Sequence, residues 1–337
     1  MIPTLADVAK HAGVSIKTAS RVINNEARVA ETTRKKVLAA VEELGYVPNV
    51  WAQRLARGQS GLIGLVIYDA TPAYTSIMMI GLMDAGEAAG YNVSIHRLNP
   101  GNPRQVAEII GIAAHRRVEG LVITPPCDTA PGLLQSLKEM NFPFVVIAPH
   151  ENCEDCPVIA PMDEHGSYEA AWHLIRLGHR RIGFLQGPQD HQASWERLRG
   201  YERALKEAGI NWCEEIIRQG SWEFEAGLVN GRDLLSLQER PTAIMAPNDV
   251  VASGVLQAAW ERGISCPDQL SVVGYDDIPL ARQVCPPLTT VRQPIYEIGT
   301  GAMTMLIDQL IPRGVISRKA EMPTELVIRH STGPAPR

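Results

Sequence analysis

Seven short apolar runs follow Gly61: "LIGLVIY" (62–68), "YNVSIHR" (91–97), "VEGLVIT" (118–124), "PFVVIAP" (143–149), "RRIGFLQ" (180–186), "TAIMAP" (242–247) and "QLSVVGY" (269–275). They are rich in Val and Ile, and enough chain separates them to hold a helix each time. Continuous rather than alternating apolar runs indicate strands buried on both faces, the habit of parallel sheets covered by crossover helices. The region therefore reads as a doubly wound α/β body. Its length and the break near Pro157 to Asp163 predict two such lobes.

The first sixty residues have a different texture. Their nine Lys or Arg against five Asp or Glu make a basic unit, while the rest of the chain carries 23 against 32. A basic segment attached to an acidic body directs attention to a polyanionic partner for the first part alone. With 337 residues, two or three domains are expected. No run of 18 apolar residues occurs and "MIPTLADVAKHAG" lacks a signal-peptide core, so the expectation is a cytoplasmic protein with no membrane partner. The six cysteines read as reduced thiols, since "CEDC" (Cys153, Cys156) has neither a second pair nor nearby histidines to make a metal site. No cofactor or metal is predicted.

Thr4 followed by Asp7 is a capping-box start, and Leu5, Val8, Ala9 and Ala12 form the stripe of an amphipathic helix ended by Gly13. Ser15 can cap the next helix within three residues, so the two must cross steeply, as in a helix-turn-helix. A third helix is expected over about 32–44, with Val37, Ala40, Val41 and Leu44 inward and Gly45 as its stop. Within "VSIKTASRVINN", Ala19, Val22 and Ile23 fall on one side; Lys17, Ser20, Arg21 and Asn24 fall on the other, without one acidic side chain. Such a second helix can enter the DNA major groove, its early residues at base edges.

"TLADVAKHAGVSIKTASRVINN" and "VAETTRKKVLAAVEELGYVPN" resemble the DNA-binding headpiece of the LacI/GalR family of bacterial transcription regulators. The resemblance implies base readout by Ile16, Lys17 and Arg21, and sugar-phosphate contacts by Thr4, Ser15, Thr18, Asn24 and Tyr46. "NVWAQRLARGQS" (49–60) is similar to the family's hinge helix, in which Leu55 would wedge into the minor groove, with Arg54 and Arg57 beside phosphates. About nine residues long, such a helix is too short to be stable alone, so its folding can depend on partner and DNA. Ala30 departs from the family's usual Ser or Asp cap.

In open α/β sheets, ligands bind beyond the carboxyl ends of the strands. Polar residues just after the apolar runs are thus binding candidates: the 68–74 stretch (Tyr68, Asp69, Pro72, Tyr74), Asn248 and Asp249, and Asp276 with Asp277; Arg197 and Trp222 join them from "SWERLRGY" and "GSWEFEAG". "LGHRRIGFLQGP", "RLRGY", "APNDVVASGVLQAAWERGISCPDQLSVVGYDD" and "PPLTTVRQP" resemble the periplasmic-binding-protein-like effector domain of the same family. That implies a polar clamp of Arg197, Asn248 and Asp276, an aromatic wall at Trp222, and Gln293 near the same cleft. Ala148 stands where some sugar-binding relatives have Asp.

The organisation expected is a headpiece (1–48), a hinge (49–60) and an effector-binding, dimerising body (61–330). Lobe one would take about 61–160 plus 293–322, and lobe two about 163–290 plus 323–330. Function would be that of a homodimeric repressor of carbohydrate-use genes, binding a near-palindromic operator and switched by a sugar. The clamp also admits a purine or other metabolite acting as corepressor. A transport receptor would share the body but not residues 1–60. A glycosidase would need paired carboxylates, for which only Asp249 and Asp276 offer themselves. "GTGAM" from Gly299 lies in a predicted helix and is no phosphate loop. "HSTGPAPR" reads as a short polar tail, without heptads to build a tetramer.

Overall fold

The computed structural model describes residues 3–23, 29–46, 60–68, 72–150, 153, 155–311 and 318–336. The chain divides into two compact units between Ser60 and Gly61. The smaller holds α1 (Leu5–His11), α2 (Ile16–Ile23) and α3 (Glu31–Leu44). Val8, Ala9, Ala19, Val22, Val37 and Ala40 make its core. Gly45 ends α3 in the left-handed conformation (φ 60°), and Ala30 starts it without a side-chain cap.

The larger unit contains two six-stranded sheets. In the first, β1 (Leu62–Ile67), β2 (Asn92–Arg97), β3 (Gly120–Ile123), β4 (Phe144–Ile147), β5 (Val158–Pro161) and β11 (Lys319–Met322) run in the order β11-β5-β4-β3-β1-β2. All its pairings are parallel. In the second, β6 (Ile182–Gln186), β7 (Ile217–Gln219), β8 (Ala243–Met245), β9 (Ser271–Asp276), β10 (Thr289–Arg292) and β12 (Glu325–Val327) follow the matching order β12-β10-β9-β8-β6-β7. There β12 is an antiparallel edge on an otherwise parallel sheet. The chain passes between lobes at Pro161–Asp163, at Gln293–Ile295 and at Met322–Glu325.

Helices α4 (Pro72–Ala88) and α12 (Ile295–Leu310) pack on the first sheet, and α12 returns from the second lobe to do so. They touch backbone to backbone. A Cβ on Gly81 would come within 2.1 Å of the Tyr296 carbonyl, and one on Gly299 within 2.1 Å of the Met78 carbonyl. Gly299, the first glycine of "GTGAM", is therefore a packing residue. In lobe two, α7 (Asp163–Arg176) lies against α8 (Gln192–Glu207), and α9 (Phe224–Leu235) against α10 (Asp249–Glu261).

Two expectations are corrected. Cys153 and Cys156 are joined by a disulfide, their Cα atoms 5.3 Å apart. A turn in which Cys156 N–H donates to the Cys153 carbonyl (3.2 Å) brings them together, with Cys156 buried in the core of lobe one. Nor is the C-terminal segment a loose polar tail. Ser331 is fully buried; its hydroxyl donates to the Val272 carbonyl (2.6 Å) and accepts from Thr289 N–H (2.8 Å). Buried His179 reaches Thr242 (2.9 Å), Ser271 (3.0 Å) and the Gly333 carbonyl (3.1 Å). His173 meets Thr332 at 2.9 Å. The segment fastens lobe two through groups that are each hydrogen-bonded, as buried polar atoms require. Among the described residues no helix is long and apolar enough to cross a membrane.

Candidate DNA-reading helix and ligand cleft

In the first unit, Thr4 and Asp7 cap α1 reciprocally: Thr4 N–H (2.9 Å) and hydroxyl (2.7 Å) both donate to the Asp7 carboxylate, which these bonds hold below the usual carboxylate range. Ser15 caps α2, accepting from Thr18 N–H at 3.1 Å, and its hydroxyl lies 2.8 Å from that of Thr18. The turn thereby presents the start of α2 outward. Ile16 is 55% exposed although apolar, and Lys17 and Arg21 are exposed beside it. Ser20 and Thr18 are half-buried. Tyr46 rests against the small core. Asn24, Arg54, Leu55 and Arg57 lie outside the described residues.

In the second unit, the carboxyl ends of both sheets border one cleft of about 740 Å³ between the lobes. Arg197, in α8, is 5% exposed and anchors its floor. Its Nε donates to Asp163 Oδ1 (3.0 Å), one terminal nitrogen donates to the Pro247 carbonyl, and the other lies 3.8 Å from Asp276 Oδ1. The guanidinium sits 3.7 Å from the Tyr275 ring centre and 5.6 Å from that of Trp222. Burial works against its charge, but the fields of Asp163, Tyr275 and Asp276 hold its pKa above that of an ordinary arginine. Asp276 accepts from Gln293 Nε2 at 2.6 Å. Burial raises the Asp276 carboxyl to about 7, against the pull of Arg197 and Gln293. Asn248 caps α10, accepting from Val251 N–H (2.7 Å) and donating to the Trp222 carbonyl (2.9 Å).

Trp222 meets the His191 ring edge-on, centroids 5.4 Å apart. Gly187 makes room for this arrangement, since a Cβ there would lie 2.6 Å from the indole. Opposite, Tyr74 comes from α4 of lobe one. Burial, then the fields of Asp276 and Asp163, push its phenol well up, so it stays a donor. Gln293 Oε1 and Thr75 Oγ1 are buried in the cleft lining without a hydrogen-bond partner among the described residues. Ala148 (φ 43°), just past β4, and Asp276 (φ 102°), the last residue of β9, line the cleft in the left-handed region, and Asp277 (φ 57°) follows. Strain of this kind collects at ligand clamps.

Of the residues singled out from sequence, Tyr74, Ala148, Arg197, Trp222, Asn248, Asp276 and Gln293 come together here. Tyr68 does not line the cleft: successive strand residues face opposite sides, so Ile67 lines it while Tyr68 packs on the outer core of lobe one. Asp69 lies outside the described residues, as does the side chain of Pro72. Asp249 is fully buried off the cleft, accepting from Thr290 (2.5 Å) and Ile278 N–H (2.9 Å). Burial and the Asp276 charge push its carboxyl well up. It is a structural acid, so the Asp249–Asp276 pair that a glycosidase would use is not brought to the cleft. Asp163, His191, Thr75 and Ala193 line the cleft without having been singled out. The only sequence signal for them was proximity to a lobe crossing or to the start of a helix.

Residues 4–49 match the model for bacterial regulatory proteins of the lacI family, and 171–332 that for a periplasmic binding protein-like domain. The HTH-type transcriptional regulator DegA of Bacillus subtilis (strain 168) is 33% identical over 336 residues, covering 99% of each chain. The HTH-type transcriptional repressor PurR of Proteus mirabilis (strain HI4320) is 36% identical over 336 residues, covering 99% of this chain and 98% of its own. Among solved structures, the lac repressor dimer bound to operator and an anti-inducer superposes with a TM-score of 0.85 at 31% identity, covering 99% of this chain and 100% of the other. The complex of the regulator CelR with cellobiose gives 0.75 at 29%, covering 98% and 99%. With its helix-turn-helix unit and two-lobed parallel-sheet body, the chain belongs to the lacI family of bacterial regulatory proteins, which are DNA-binding transcriptional regulators and not enzymes.

Proposed function

We propose that the chain is a homodimeric repressor whose two headpieces grip a near-palindromic operator and whose cleft binds a neutral, sugar-like effector. The observation that carries the ligand reading is the floor of lobe two. Arg197, Asn248 and Asp276 offer fixed donors and acceptors beside the Trp222 face, the set that suits hydroxyls on an apolar ring. Two carboxylates, Asp163 and Asp276, surround one guanidinium, so the floor has no surplus positive charge to hold an anion. Orphaned Gln293 Oε1 and Thr75 Oγ1 leave further groups for a polar ligand.

Ile16, Lys17 and Arg21 read bases, and Thr4, Ser15, Thr18, Asn24 and Tyr46 hold the backbone in this reading. Arg21→Ala should weaken specific binding by about 1–3 kcal/mol and relax preference at one position per half-site. Equal loss on all sequences would make Arg21 a phosphate contact instead. Effector binding shifts the population of lobe arrangements and thereby the pairing of headpieces on DNA. A purine corepressor is the second reading, favoured by the 36% identity to a PurR repressor and by the two aromatic side chains, Tyr74 and Trp222, in the cleft. Thermal unfolding against sugars and purines decides between them, because a ligand at a hundredfold excess over its Kd adds about 2.7 kcal/mol of stability. Operator titration with the ligand so found gives the sign of the switch.

A further inference from the structure

Asp277 follows Asp276, the last residue of β9. Its backbone is left-handed (φ 57°) and its side chain is buried, yet it does not line the cleft. Three arginines surround it. Arg292 Nε donates to its Oδ2 (2.8 Å), a terminal nitrogen of Arg329 donates to its Oδ1 (2.5 Å), and Arg282, in the short helix Leu280–Gln283, lies 3.8 Å from Oδ2. Arg292 ends β10, immediately before the lobe crossing at Gln293–Ile295, and its terminal nitrogen donates to Glu325 (3.1 Å), which closes the crossing at Met322–Glu325. Arg329 comes after β12 and also donates to the Leu288 carbonyl (2.8 Å).

Two successive residues at positive φ are costly and persist only where their surroundings over-determine them. Charge-assisted bonds from a planar guanidinium fix direction as well as energy, so the arginines supply that constraint at Asp277. The constraint reaches Asp276 by two short routes: Arg292 pairs with Asp276 in the β9–β10 ladder, and the next residue, Gln293, donates its Nε2 to the Asp276 carboxyl (2.6 Å). We propose that Asp277 is a positioning residue for the effector clamp: its arginines fix the left-handed turn that aims the Asp276 carboxyl at Arg197 and Gln293, and through Arg292 they tie that aim to two lobe crossings. The proposal rests on the reading of the cleft as the effector site, but its test needs no ligand.

The titration of Asp276 separates positioning from simple charge balance. Its carboxyl faces Arg197 from α8, Asp163 from α7, Tyr74 from α4 and Asp249 from α10. Deleting a nearby arginine while Asp276 stays in place removes a positive charge and raises its pKa, whereas releasing Asp276 from its buried aim lets the ionised form reach water and lowers it. The two roles therefore give opposite signs. Carboxyl-13C NMR of the aspartate-labelled, full-length protein follows the titration, and Asp276→Asn assigns the resonance. Arg329→Gln and Arg292→Gln should each lower the Asp276 midpoint from about 7 by about half a unit or more. The double variant Asp277→Asn/Arg329→Gln, which removes one charge of each sign, should lower it too. So should Arg292→Lys, which keeps the charge but loses the fork that reaches both Asp277 and Glu325. Thermal unfolding at each pH checks that the fold persists, and Arg292→Lys, at an exposed side chain, carries the test if Arg329→Gln unfolds. A rise in the two glutamine variants, or no shift in Arg292→Lys and the double variant, reduces the arginines to charge balance and overturns the proposal. A fall in Arg329→Gln without one in either Arg292 variant overturns the tie to the lobe crossings.

Discussion

Lobe one and lobe two carry six-stranded sheets of matching order, yet they turn different walls to the cleft. Lobe one contributes Ile67, Met78, Ile147 and Ala148; lobe two contributes Arg197, Asn248, Asp276 and Trp222. A shared topology fixes where strand ends meet the ligand, while the residues just beyond those ends decide what each lobe says to it. One lobe is largely an apolar cover, with Tyr74 and Thr75 as its polar groups, and the other a hydrogen-bonding floor, so binding can be strong on one side and adaptable on the other. The two walls should therefore respond to substitution very differently.

The largest contrast is between Arg197→Leu and Ile147→Val. Removing the guanidinium leaves Asp163 and Asp276 buried without their cation, which should destabilise the fold by about 3–5 kcal/mol and abolish effector binding. Trimming one methyl from the cover should cost about 0.5–1.5 kcal/mol and weaken binding modestly. Denaturant unfolding of both variants checks this; equal losses would break the distinction between floor and cover.

Acid should also separate the lobes. Burial keeps His173 and His179 below the usual histidine pKa, and both hold the C-terminal segment on lobe two. Histidines that stay neutral when folded contribute stability that is full above about 6.5 and is lost as pH falls below it. In lobe one, His96 is also lowered by burial but sits on edge strand β2 and ties down no terminal segment. Amide exchange, corrected for intrinsic rates, should show protection of β9 falling between pH 7.5 and 5, with β3 nearly unchanged. Parallel loss in both strands would assign acid sensitivity to global unfolding.

Within the floor, Asp276 adds a dependence near neutrality. Its carboxyl is raised to about 7, so ionising it costs stability as pH rises from the unfolded value toward 7. Ligand binding runs the other way if hydroxyl groups need the carboxylate. Affinity for the effector should then fall about tenfold between pH 8 and 6, and Asp276→Asn should flatten the profile. An unchanged slope in that variant would move the titration to another group.

The sequence made much of this legible, for reasons that differ by residue. Val8, Ala19, Val22 and Val37 declare the headpiece core by helical spacing, and the apolar runs declare both sheets. Arg197, Asn248 and Asp276 stood out because charged or amide side chains placed just beyond, or on a helix following, an apolar run have few purely structural uses. Asp163, His191, Thr75 and Ala193 were silent because their role depends on how two lobes face each other, which no local period encodes. The C-terminal segment reads as a polar tail for a related reason: Ser331 and Thr332 look solvent-bound until β9 and β10 supply partners. Tyr68 closes an apolar run just before a loop-like stretch, and the period-two alternation of a strand sets it opposite Ile67.

The smallest expected effect tests strain on the two sides of the cleft. Ala148 in lobe one and Asp276 in lobe two both occupy the left-handed region at the carboxyl end of a strand. Asp tolerates that conformation through its short polar side chain, whereas for Ala it costs about 1–2 kcal/mol. Ala148→Gly removes this strain but adds unfolded-state freedom worth about 0.5–1 kcal/mol, leaving a net stabilisation of about 0.5 kcal/mol. Urea unfolding resolves such a shift in midpoint at constant slope. Asp276→Gly relieves far less strain and removes the acceptor for Gln293, so it should destabilise. Opposite signs at these two positions would show that lobe one holds its strained residue against the preference of its side chain, while lobe two has placed there a residue that both fits the backbone and meets the ligand.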